Sequence, residues 1–235
     1  MDDFLPLNQR TYVRLTVKCL WDNLPLVLLA GVIFSLLCVP AALLLILGLF
    51  APAIIIGVLT IAPAWAALLA QENEIARGVK TSIHTMLAAL PRLWVRSAGL
   101  GFLLWLQVVI ALLTLATLSR PEVPLIVWLG LAADLLGLLL LVVLYLYAFP
   151  LLVQHEVGVW TAVSNAFVLA SRHLNNTFGL LAMGVLFALA ILYLSSGLLL
   201  FLPAIWGMFI VNNCRLVVDE EMGKDQGEPD DDRSV

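Results

Sequence analysis

The chain has 235 residues, 63% of them hydrophobic and only 12% charged, with a formal net charge of −4. Soluble domains carry about 45–50% apolar and about 25% charged residues, so this composition excludes an ordinary soluble domain. No nucleic-acid partner is expected of it, because there is no strongly basic surface to meet phosphates. Apolar runs of 18 or more residues recur along the chain, each long enough to cross a bilayer core of about 30 Å. The expected class is an all-α integral membrane protein whose main partner is the lipid bilayer.

Residues 1–22 read as an amphipathic N-terminal segment. Val13, Val17 and Leu20 form a short apolar stripe, while Arg10, Arg14 and Lys18 recur every four residues. Helices of this kind tend to lie in the membrane interface; packing on the bundle or on a partner helix is the alternative. The apolar run from Leu24 to about Phe50 is longer than the roughly 7–15 residues of a signal-peptide core, so no cleaved signal is expected.

Six spans are predicted within a membrane domain at 23–215: about 24–48, 51–70, 96–118, 124–149, 178–195 and 197–213. The first pair divides near Phe50-Ala51-Pro52, because the residue before proline is biased away from helix. The last pair divides at Ser195-Ser196-Gly197, a turn-forming triplet. Six spans place eleven basic residues on one side and only Arg120 on the other. The positive-inside rule makes the crowded side cytoplasmic, so both termini are expected there.

The two large inner loops carry helical apolar stripes: Ile75, Val79, Ile83, Met86 and Leu90 in the first, and Trp160, Val163, Phe167, Ala170 and Leu174 in the second. Both are expected to form interfacial helices. At an offset of 80 the loops align, with Thr81 on Thr161, Arg92 on Arg172 and Gly99 on Gly179. The repeating unit reads as interfacial helix, span, span, with a proline at each span exit: Pro63, Pro150 and Pro203. Tandem repeats of this sort build other membrane folds.

Residues 216–235 read as an acidic disordered cytoplasmic tail, with eight acids and two bases from Asp219 onward. A solvated end is the expectation; contact with a basic partner is the alternative. Cys19, Cys38 and Cys214 form no disulfide framework.

Candidate chemistry is sparse. Asp134 and Gln107 lie equally far from the turn at 119–123, on neighbouring spans near mid-depth. Ionisable groups inside a membrane default to functional hypotheses, so a proton- or cation-linked site is one reading. A structural Asp–Gln hydrogen bond worth about 1 kcal/mol is the other. His84, His155 and His173, with Glu72, Glu74 and Glu156, all fall at the inner side. Their spacing does not converge as metal ligands would, so no metal, no cofactor and no catalytic residue is expected. Arg77, Lys80, Arg92, Arg96 and Arg172 line the inner face, where anionic lipid or a docked protein is the expected counterpart.

The segments Ala62-Pro63-Ala64-Trp65, Tyr147-Ala148-Phe149-Pro150-Leu151-Leu152, the stretch from Ala166 to Leu181 and the Leu202-Pro203 hairpin resemble the YesL-like family of bacterial integral membrane proteins. The resemblance covers most of residues 10–215. It implies a multi-pass protein of unknown activity, often encoded beside genes of carbohydrate uptake and degradation, with no catalytic residues to carry over. The function expected is therefore a non-enzymatic accessory or interaction protein linked to carbohydrate use. A small proton- or cation-coupled transporter using Asp134 is the alternative.

Overall fold

The computed structural model describes residues 9–118 and 124–226. Arg120, the turn at 119–123 and the end of the acidic tail lie outside the described residues. Among the described residues the chain is all-helical: α1 (Gln9–Asp22), α2 (Leu24–Ile46), α3 (Phe50–Ala76), α4 (Ile83–Thr117), α5 (Leu125–His155), α6 (Val159–Arg172), α7 (Leu174–Tyr193) and α8 (Leu202–Gln226), with a 3-10 turn at Ser196–Leu200. Five of these, α2, α3, α4, α5 and α7, are long and apolar enough to cross a membrane. The fold is that of a helical bundle compatible with a multi-pass membrane protein.

Local chemistry sets the breaks. Gly48 and Gly78 take positive φ, 75° and 71°, a region open to residues without Cβ. In both turns the two hydrogen bonds of a glycine-terminated helix form: Gly48 N–H to Leu45 O and Leu49 N–H to Leu44 O, then Gly78 N–H to Ile75 O and Val79 N–H to Glu74 O. The first division therefore falls at Gly48, and Pro52 sits harmlessly in the first turn of α3. The expected break at Ser195 is present. Its hydroxyl accepts from Gly197 N–H at 3.2 Å and opens the 3-10 turn.

Four expectations are corrected. The first inner loop holds no separate interfacial helix: Ile75 belongs to α3, Val79 to the turn, and Ile83, Met86 and Leu90 to α4. At about 1.5 Å per residue, α4 is roughly 52 Å long, so one continuous helix serves for both predicted elements. Its register partner is broken, because α6 ends and α7 begins at His173. Pro203 opens α8 rather than closing a span, and Pro63 stands mid-way along α3, leaving only Pro150 near a helix end. Finally, residues 216–226 continue α8, with Leu216 and Val217 buried against the bundle.

The core lies at one end. Its largest shares come from the second half of α3 (Ala62 to Ile75), the last turns of α5 (Leu144 to Val153) and α8 (Ala204 to Val217), with α2, α4, α6 and α7 adding residues around them. These three helices pack on one another. Trp65 stacks near Trp206 (5.8 Å between centroids), and Arg215 Nη1 donates to Ala76 O at 2.6 Å, so α3 and α8 run in the same direction. Elsewhere the helices present leucine, isoleucine and phenylalanine outward, as a bilayer-facing surface does.

Candidate functional site

The end where α3, α5 and α8 converge is polar inside. Consecutive residues Gln71, Glu72 and Asn73 of α3 are all buried, and Asn212 and Asn213 of α8 join them. Part of this cluster is satisfied. Asn213 Nδ2 donates to Tyr147 OH (3.4 Å), Tyr147 donates to Thr177 Oγ1 (3.0 Å), and Thr177 donates to His173 O (2.9 Å). Asn212 Nδ2 donates to Thr16 Oγ1 of α1 (3.2 Å), and Gln154 Nε2 to Val211 O (3.3 Å). The amides thus tie α1, α5, α7 and α8 together.

Glu72 is different. It is 1% exposed, and among the described residues neither carboxylate oxygen has a hydrogen-bond partner; both polar atoms of Gln71 and Oδ1 of Asn73 are likewise unpartnered there. Expected at a solvated inner face, Glu72 instead lies in the core against Gly207 of α8. Burial reaches it because Ala62, Ala64, Ala66, Ala67 and Ala70 let neighbouring helices close in on every side of α3. That alanine-rich run was the available signal in the sequence.

Asp134 and Gln107 are brought together, with altered roles. Gln107 Nε2 donates to the backbone oxygen of Asp134 (3.1 Å), not to its carboxylate, and the carboxylate accepts from Thr114 Oγ1 at 2.6 Å. Both are half-buried on the α4–α5 hairpin, away from the core. The pair joins two helices.

The basic residues divide into two groups. Arg92 pairs with the Glu156 carboxylate (3.3 Å) and Arg96 donates to Glu156 O, where the backbone turns left-handed (φ 50°) and ends α5. Arg172 pairs with Glu221 at 2.5 Å, and His173 Nε2 lies 3.1 Å from the other oxygen of the same carboxylate. The first acids of the predicted tail therefore dock on the α6–α7 junction. Arg77 and Lys80 stand exposed beside Gly78 and Val79 with no ion pair among the described residues. His84 and His155 are exposed and separate from His173.

The amphipathic helices expose part of their apolar stripes. α1 buries Thr16 and leaves Val13 and Val17 about half exposed; α6 buries Ala162, Ala166 and Ala170 and leaves Trp160 79% exposed. At the α1–α8 contact, burial holds the Tyr12 hydroxyl and the Cys19 thiol above their ordinary pKa ranges, with Asp22 adding to the effect at Cys19 and Arg215 opposing it.

Two apolar cavities flank the Trp65–Trp206 pair. The larger, about 380 Å³, lies among α3, α4, α5 and α8 and is lined by Val58, Trp105, Tyr145 and Phe149; the smaller, about 270 Å³, is lined by Phe34, Gly184 and Pro203. The chain matches no protein-family model, no curated protein and no solved structure.

Proposed function

We propose that the chain is a non-enzymatic, multi-pass protein of a bacterial cytoplasmic membrane, acting at the inner face as an accessory or docking partner. The observation that carries this is the exposed loop after α3, in which Arg77 and Lys80 have no ion pair among the described residues while Arg92, Arg96 and Arg172 are committed within the molecule. Exposed cations beside exposed apolar stripes suit an anionic leaflet and an acidic protein surface docked on it. Carbohydrate uptake is the context that the YesL-like resemblance implies.

The same-direction run of α3 and α8 supports six passes with both termini on one side. The α7–α8 turn rests beside the middle of α2, where Ser35 Oγ donates to Leu199 O at 2.9 Å. The hairpin can thus return the chain without α8 crossing the full core. The common meeting of α3, α5 and α8 supports the tandem repeat.

A photo-crosslinker at Val79, which is 50% exposed, tests the docking reading in native membranes. A discrete adduct is expected, lost when Arg77→Glu and Lys80→Glu are combined. An adduct pattern unchanged by charge reversal overturns it. The second reading, coupled transport, draws support from Glu72 rather than Asp134, because an unpaired buried carboxyl has no structural partner to explain it.

A further inference from the structure

We infer that Glu72 is a proton-binding site at the end of the bundle where α3, α5 and α8 converge, and that its proton holds α3 and α8 together. The inference needs no substrate flux, so it stands or falls independently of the transport reading.

Three observations converge on it. Glu72 is 1% exposed and both its oxygens lack a partner. It follows Leu68 and Leu69 along α3, both in the core, and Trp65, which packs against that core. Gly207 occupies the space in front of the carboxyl: a Cβ placed there would stand 3.0 Å from Glu72 Cδ and closer still to Oε2. The α8 backbone therefore closes the space on that side of the carboxyl.

An ionised carboxylate without counter-ion or donor is costly in apolar surroundings. Among the described residues no neighbour supplies the missing charge. Arg215 of α8 donates to Ala76 O, one turn beyond Glu72, and forms no bond with it. Tyr12 and Cys19 of α1, Tyr147 of α5 and Cys214 of α8 form no hydrogen bond with it either. On α4, His84 is exposed and Arg92 and Arg96 are engaged at Glu156. A proton, carried on the carboxyl itself, neutralises it without parting the helices. Its release leaves a bare charge between α3 and α8, which water must reach by separating them.

Infrared spectroscopy of the full chain in phosphatidylcholine vesicles tests this at neutral pH. The carbonyl band of a protonated carboxylic acid is expected in the wild type and in Asp134→Asn, and absent in Glu72→Gln. Raising the pH should remove the band and lower the melting temperature together in the wild type, and change neither in Glu72→Gln. Absence of a Glu72-dependent band at neutral pH overturns the inference, as does a band that sodium ions remove at constant pH. Should Glu72→Gln fail to fold, Gly207→Ala in the wild-type background decides the matter. Its added methyl presses on the carboxyl and must shift the band; an unshifted band refutes the assignment.

Discussion

Gly207 meets the side chain of Glu72 so closely that no larger residue fits without displacing it. The carboxyl is held between two helix backbones, and the contact sets how near α3 and α8 can approach. Overpacking of a tight core contact costs about 1–3 kcal/mol. Gly207→Ala should therefore lower the melting temperature in detergent. Adding Glu72→Ala should recover part of the loss, since residues in contact couple; strictly additive losses would show that the two do not share the site.

Gly31 of α2 faces the α7–α8 turn, where a Cβ would stand 3.1 Å from Phe201 Cα and nearer to Leu200 O. Both obstacles are backbone, which cannot rotate away. Gly31→Ala should destabilise the fold by about 1–3 kcal/mol and raise protease cleavage at the turn. Unchanged cleavage would mean that the turn does not rest on α2.

Thr114 and Asp134 join α4 to α5 through a 2.6 Å hydrogen bond. Such bonds between membrane helices contribute about 0.6 kcal/mol on average. Thr114→Val should lower stability by that order, with Asp134→Asn smaller because the amide oxygen still accepts. A fall of several kcal/mol would assign the hairpin a larger part in folding than its position suggests.

Glu221 docks the start of the tail on Arg172 and His173. Exposed pairs are worth about 0–1 kcal/mol, so Glu221→Gln should barely change global melting. It should move the limit of C-terminal proteolysis inward toward Val218. An unmoved limit would show that buried Leu216 and Val217 hold the segment unaided.

Cys19 donates to Ile75 O at 3.7 Å, and its thiol is held above the ordinary range first by burial and then by Asp22, against the lowering effect of Arg215. The thiolate is the reactive form. Alkylation of Cys19 should therefore lag a free thiol at neutral pH and gain on it as the pH rises. Equal rates near neutrality would indicate that α1 leaves the bundle.

Much of the architecture was written in composition and periodicity. Long apolar runs can satisfy their backbone in a bilayer only as helices, so the helical class and the approximate limits of α2, α5 and α7 follow from the residues alone. The Ser195 turn was legible for a local reason, its hydroxyl capping the amide of Gly197 two residues on. The division between α2 and α3 was placed near Pro52, yet Gly48 makes it, because a glycine at positive φ completes the terminal hydrogen bonds. The pairing of Gln107 with Asp134 was legible from their equal distance to a turn; Thr114 as the carboxylate's donor was not.

The polar triplet Gln71, Glu72 and Asn73 looks in sequence like the place where a helix leaves the membrane, since polar residues after an apolar run ordinarily meet water. The burial of Glu72 is completed by α8, which follows nearly 130 residues later in the chain and sets Gly207 against its carboxyl. The same distant packing turns the start of the acidic tail into buried helix. Apolar length and periodicity, which act within a helix, determined that this chain is a bundle of membrane-length helices. Which polar groups face water and which face each other was decided by tertiary packing, because burial depends on the helices that close around a residue and not on the residue's own neighbours in sequence.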